Sequence, residues 1–201
     1  MTQIVQNKIY TSEAYLEMEL KSPERHEYVN GEIRLMTGGT PEHNKIVGAL
    51  HALLWFSLRS KPYDTYVTDQ RLWIPACGNN TYPDVMVVKT PLVLQDGRTD
   101  TVTNPCFIAE VLSKATRDYD RGGKFAAYRT IPTFREYMLI DQYSDQIAHY
   151  VKTAPNQWLM SEYDVPDINL SLETLDCQLQ ISELYQDLDF SRAVDGESPS
   201  G

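Results

Sequence analysis

The sequence predicts an α/β fold, a mixed β-sheet flanked by helices, and three patterns carry that expectation. Val85–Val88 and Cys106–Leu112 are branched apolar runs with the length of buried strands. From Thr40 onward, His43, Ile46, Val47, Leu50, Leu53 and Leu54 recur at helical spacing on one face. Asn30-Gly31, set between two short alternating runs, marks a hairpin, because a type I′ turn needs positive φ at both residues.

Taken in order, Thr11–Leu20 predicts a first helix with Thr11 or Ser12 as its cap and Leu16 and Leu20 on one face. Arg25–Met36 is the hairpin, with Glu27 and Glu32 in its flanking strands, Glu32 as solvated edge charge. Thr40-Pro41 opens the second helix, a capping threonine followed by proline at the first helical position. His43 then sits in the first turn, beside the partial positive charge of the helix end. A histidine there is more often a hydrogen-bonded core residue than a ligand or base.

Tyr63–Thr68 and Arg71–Ile74 follow as strands, Ala76–Asn80 as a turn, and Lys89–Thr103 as a long polar loop. A helix is expected over Tyr119–Arg129 despite Gly122-Gly123 near its start, where a backbone or ligand can approach closely. On it Asp120, Lys124 and Tyr128 form a stripe four residues apart, which spacing alone assigns to solvated ion pairs. Glu136–Ile140 reads as another buried strand, and Gln146–Lys152 with Gln157–Tyr163 as a hairpin closed at Pro155-Asn156. These last strands form a C-terminal β extension, ending in a helical turn near Ser182–Leu188.

At 201 residues the chain is expected to fold as one domain over residues 1–190, with 191–201 a disordered acidic tail. No window approaches the roughly 20 apolar residues of a membrane span, and the N-terminus lacks a secretory core. The three cysteines are scattered without a CxxC pair, which points to reduced thiols in the cytoplasm and away from structural zinc. The net charge of −10 is uneven: residues 1–130 carry 15 basic and 15 acidic side chains, and 131–201 carry 3 and 13. The acidity therefore belongs to the last third and does not exclude a nucleic-acid partner, although no basic patch stands out.

The chemistry lies between Tyr82 and Arg129. Asp84 follows a proline at the head of one apolar run, and Glu110 lies inside the other. A carboxylate in an apolar strand costs several kcal/mol unless something positive meets it. A salt bridge to Lys124 or an arginine satisfies that demand. So does a hard divalent ion held by two acidic side chains from neighbouring strands.

ERHEYVNGEIRLMTGGTPEHN, YPDVMVV, EVLSKATRDYDRGGKFAAYR and IPTFREYMLID together make the chain resemble the PD-(D/E)XK nuclease superfamily. More narrowly it is similar to the Uma-two family of restriction endonucleases, over roughly residues 10–185. The resemblance implies a restriction-endonuclease-like core in which Asp84 and Glu110 hold Mg²⁺ or Mn²⁺, with Glu27 as a third carboxylate ligand. The metal would polarise a phosphodiester, lower the pKa of a bound water and stabilise the departing 3′ oxygen. The superfamily's usual lysine position, two residues after the glutamate, is Leu112 here; the Uma-two pattern instead supplies Lys124, with Tyr128 and His43 in support. Its expected task is to orient or deprotonate water, or to neutralise charge on the phosphate.

The function so implied is that of a metal-dependent endodeoxyribonuclease with DNA as substrate, no membrane partner, and a homodimer as one compatible assembly. The alternative, from another class, is a non-catalytic binding or assembly protein that keeps the fold and uses its acidic last third on a basic partner.

Overall fold

The computed structural model describes residues 9–164, 168–186, 188 and 190. Helix α1 spans Ser12–Glu19 and is capped by the Thr11 hydroxyl, which accepts from the Ala14 N–H. Its buried face is Tyr15 and Glu19, whereas Leu20 is 67% exposed, so the expected Leu16–Leu20 face is corrected. The reason is polar: the Tyr15 hydroxyl donates to the His26 carbonyl at 2.7 Å, and its ring stacks on Tyr28 at 5.3 Å. Glu19 is drawn in by the Tyr82 hydroxyl at 2.8 Å and His26 Nδ1 at 3.0 Å.

Strands β1 (His26–Val29) and β2 (Glu32–Leu35) form the expected hairpin, with Asn30 at φ 51° and Gly31 at φ 91°. Gly31→Ala is expected to cost about 1–2 kcal/mol in urea unfolding, because alanine strains at that φ. A Cβ there would also lie 2.7 Å from Ile9 Cγ2. An unchanged midpoint would show that the turn relaxes freely.

Helix α2 (Pro41–Leu58) starts at Thr40, whose hydroxyl accepts from the His43 N–H, and buries Ile46, Val47, Leu50, Leu54 and Leu58. Next come β3 (Tyr63–Val67), β4 (Arg71–Ile74), β5 (Asn79–Thr81), β6 (Val85–Lys89), β7 (Thr101–Val102) and β8 (Pro105–Leu112). Asn79 and Asn80, expected in a turn, belong to β5, and Thr101–Val102 is a strand within the expected loop. Both gain partners along β4, which pairs β5 antiparallel and β7 parallel.

The segment expected as one helix is α3 (Arg117–Tyr119), a π-turn (Asp120–Lys124) and α4 (Phe125–Tyr128). Then follow β9 (Glu136–Asp141), the β10 (Ile147–Ala154) and β11 (Gln157–Tyr163) hairpin, β12 (Asn169–Leu172), β13 (Cys177–Gln180) and α5 (Ile181–Tyr185). The tail expected to be disordered, residues 191–201, lies outside the described residues.

Among the described residues the main sheet has six strands in the order β11-β10-β9-β8-β6-β3, mixed because β8 and β9 run parallel. A second sheet runs β2-β1-β5-β4-β7, and β12 pairs with β13. Side chains alternate across a strand, so the central strands divide their residues between two cores. Val85, Val87, Phe107, Ala109 and Val111 pack toward α2 and α5. Met86, Val88, Ile108 and Leu112 pack toward Tyr128, Ile131, Phe134 and the second sheet. Asp84 is in phase with Met86, and Glu110 with Ile108 and Leu112. Both carboxylates therefore belong to the second face, the one the β8-to-β9 crossover covers.

Candidate metal and phosphodiester site

Strands β6 and β8 pair antiparallel, Val85 opposite Ala109 and Met86 opposite Ile108. One further step of that register sets Asp84 opposite Glu110. Two contacts lock the pair: the Val111 N–H donates to Asp84 Oδ2 at 2.8 Å, and the Asp84 N–H approaches Glu110 Oε2 at 3.4 Å. Glu110 is 2% exposed. Its other oxygen, Oε1, accepts from the Tyr128 hydroxyl at 2.7 Å.

The crossover supplies the positive charge. Lys124 Nζ lies 3.2 Å from Glu110 Oε1, 3.3 Å from Asp120 Oδ1 and 3.4 Å from Glu27 Oε1. The stripe expected in solvent is thus buried, because the crossover lays it over the carboxylate face of β8. Both readings of the strand carboxylates meet here: Lys124 makes the salt bridge, and the oxygens that would suit a hard cation surround it. Lys114, by contrast, stands 5.6 Å over the Tyr143 ring and does not line this cavity.

Glu27 reaches the cluster from β1, and its Oε1 also accepts from the Thr81 hydroxyl. His43 comes from the first turn of α2, with Nε2 3.2 Å from Asp84 Oδ1. Gln142 ties that helix end to the site, accepting from the Thr40 hydroxyl at 2.6 Å and donating to the Leu112 carbonyl at 2.7 Å. Gly39 keeps the loop against His43, since a Cβ there would fall 2.6 Å from the ring. Gly123 does likewise for Tyr119, whose ring would meet a Cβ at 2.7 Å. Tyr119 in turn lies 5.9 Å from Lys124 Nζ and 5.2 Å from the Arg34 guanidinium.

The cavity so formed is about 380 Å³, with Glu27, Arg34, His43, Asp84, Glu110, Asp120 and Lys124 among its walls. Burial lifts the Glu110 carboxyl above the usual range; Lys124 pulls it back, while Asp84 and Asp120 add to the rise. Asp120 is raised in the same way, burial outweighing Lys124. Burial alone would make Lys124 give up its proton, but Glu110, Glu27, Tyr128 and Asp120 outweigh it and hold the ammonium. His43 behaves similarly, its burial outweighed by the Asp84 hydrogen bond and charge, so its pKa is raised.

Among the described residues no three His, Cys, Asp or Glu side chains already close on one point as a ligand set. The lysine ammonium stands in their midst. The donor chemistry nevertheless fits a hard cation: four carboxylates, from Asp84, Glu110, Glu27 and Asp120, face one ammonium and one imidazole. Arg34, which also lines the cavity, is paired with Glu32 at 2.8 Å. Asp120 Oδ1 is buried without a hydrogen-bond partner.

From the sequence Asp120 stands only in a stripe assigned to solvent, and nothing marks Gln142 or Thr81. Asp120 carried a signal, one turn before Lys124 and ten residues after Glu110, but exposed and buried stripes look alike at that spacing.

The family model described as Uma2, putative restriction endonuclease, matches residues 12–184. This chain belongs to the Uma2 family. Two relatives, both uncharacterised proteins of Synechocystis, accompany it. One, sll1609, is 39% identical over 162 residues, covering 81% of this chain and 92% of its own length. The other, slr1290, is 34% identical over 178 residues, covering 89% and 92%. The structure is similar to the crystal structure of a putative nuclease belonging to DUF820 from Anabaena variabilis. The TM-score is 0.71 over 88% of this chain and 97% of that one, and at 16% identity the likeness is one of fold. It bears out the restriction-endonuclease-like α/β core expected for this Uma2 protein. Among its described residues no helix is long and apolar enough to cross a membrane.

Proposed function

We propose that this Uma2 protein is a divalent-metal-dependent endonuclease that hydrolyses phosphodiester bonds in DNA. The observation that carries the proposal is the facing pair Asp84 and Glu110, the first half-buried at the head of β6 and the second buried on β8, beside a lysine that is itself buried. A scaffold has no need of that arrangement, since an apolar pair in the same strands would be as stable or more so.

Asp84 and Glu110 are the residues to hold Mg²⁺ or Mn²⁺, whose chemistry when bound is to polarise the phosphate and acidify a water. Tyr128 fixes Glu110 through Oε1, which leaves Oε2 turned toward Asp84. Burial, with Glu110 beside it, drives the Tyr128 pKa well above that of a free phenol, so it serves as a neutral donor. Lys124 acts as a fixed cation that meets the charge developing on the phosphate. His43 orients Asp84 through Oδ1.

Asp84→Asn is expected to weaken Mn²⁺ binding at least tenfold, about 1.4 kcal/mol, and to stop plasmid nicking, with the protein still folded. Calorimetric titration of the wild type and the variant measures this. An acidic last third, 3 basic against 13 acidic side chains from residue 131 onward, favours the second reading, a fold retained for binding a basic partner. That reading gains if the wild type takes up no Mn²⁺ and cuts no DNA.

A further inference from the structure

Asp120 comes to the cavity from the crossover and not from a strand, and its side chain is 3% exposed. Its carboxylate differs from the others in what holds it. Glu110 Oε1 accepts from Tyr128, Asp84 Oδ2 from the Val111 N–H, and Glu27 Oε1 from Thr81. Asp120 Oδ1 makes no hydrogen bond of good geometry; Lys124 meets it at 3.3 Å as an ion pair, and Thr116 is the other side chain that favours its charge. A buried acceptor left without a donor is costly. A buried carboxylate held by one shared ammonium, without a well-directed donor on Oδ1, is suited to a ligand.

The backbone around it is built to keep it there. In the π-turn Asp120–Lys124 the helical ladder is widened, and the Asp120 carbonyl accepts from the Tyr137 hydroxyl at 3.0 Å. Tyr137 is fully buried in the second core, so the residue is pinned to the sheet that carries Glu110. Single π-turns inside helices recur at functional sites, where the extra residue redirects a side chain. Asp120 and Lys124, four residues apart, face the cavity together. The charge count points the same way: four carboxylates stand against one ammonium, one imidazole and the Arg34 guanidinium, which is already paired with Glu32.

We propose that Asp120 is the third carboxylate of the divalent-cation site, beside Asp84 and Glu110, and that Glu27 anchors Lys124 instead of binding the metal. The inference rests on the metal-dependent reading above. A hard cation takes six or more oxygens, and a ligand delivered by the crossover ties cation binding to the element that also carries Lys124. When Asp120 turns to the cation, Lys124 keeps Glu110 and Glu27 as partners.

The test is Mn²⁺ titration of the full chain by calorimetry, on the wild type, Asp84→Asn, Asp120→Asn, Asp120→Ser and Glu27→Gln. Thermal unfolding with and without Mn²⁺ supplies a second readout independent of cleavage. Both Asp120 variants are expected to bind Mn²⁺ at least tenfold more weakly than the wild type. They should also lose most of the Mn²⁺-dependent rise in Tm, with no lower Tm in its absence. Glu27→Gln should stay within about threefold of the wild-type affinity, well short of the tenfold, 1.4 kcal/mol step of a lost ligand. Wild-type-like binding by both Asp120 variants, beside a weak Asp84→Asn, would overturn the role of Asp120 and leave the metal site standing. Loss of binding in Glu27→Gln but not in the Asp120 variants would do the same. A wild type that binds no Mn²⁺ would overturn the metal-dependent reading and this inference together.

Discussion

Lys124→Met is expected to lower the stability of the metal-free protein by about 3–5 kcal/mol and to abolish DNA cleavage. The lysine ammonium lies within 3.4 Å of carboxylates from Glu27, Glu110 and Asp120, so its removal leaves buried Glu110 and Asp120 and half-buried Glu27 without the cation they share. Methionine keeps most of the side-chain volume, which makes the loss one of charge and not of packing. Mn²⁺ should restore part of the lost stability, because a divalent ion answers the same charges. Cleavage should not return, because the cation opposite the phosphate is gone. Lys114→Met is the control. It is four places beyond Glu110, about 13 Å along an extended strand, and its ammonium rests over Tyr143. Denaturant unfolding and single-turnover cleavage on both variants decide the matter. An inactive Lys114 variant beside an active Lys124 variant would reverse the assignment.

What the sequence disclosed of this site depended on period. Alternation alone puts Asp84 in phase with Met86, and Glu110 with Ile108 and Leu112, so the shared face was legible from residue numbers. The pairing register was not, because apolar runs of this kind accept several offsets. The hairpin at Asn30-Gly31 and the cap at Thr40 were legible because each needs one particular chemistry at one position. Helix α1 was misjudged for the opposite reason. Its buried face is Tyr15 and Glu19, and an inward glutamate makes sense only once Tyr82 and His26, distant in sequence, surround it. β5 and β7 also escaped, since two or three polar residues become strands only through partners elsewhere. The Asp120–Lys124–Tyr128 stripe shows the limit most clearly. Its spacing is the same on a solvated helix and on one pressed against a sheet, and only the parallel β8-to-β9 crossover decides between them.

Glu110→Gln should move metal-free stability the other way, raising it by about 1 kcal/mol at pH 7, the worth of roughly one pKa unit, while Mn²⁺ binding falls at least tenfold and cleavage is lost. Glu110 is buried on β8 with Asp84 and Asp120 near it, and burial and both neighbours disfavour its charged form. Lys124 favours the charge, but it is shared among three carboxylates and keeps Glu27 and Asp120 when Glu110 becomes neutral. The glutamine carbonyl can still accept from the Tyr128 hydroxyl that now bonds Oε1 at 2.7 Å. Repulsion is thus relieved at little cost in hydrogen bonding. The two ends of one 3.2 Å contact, Lys124 and Glu110, should therefore give opposite signs when each is neutralised. A salt bridge kept for stability would give the same sign at both ends. Thermal and urea unfolding in a chelator make the comparison, and a Glu110→Gln protein less stable than wild type by more than about 1 kcal/mol would mark the pair as structural. The same samples titrated with Mn²⁺ then show whether the variant's gain disappears, as it must if the wild-type carboxylates are strained toward a cation that the variant no longer holds.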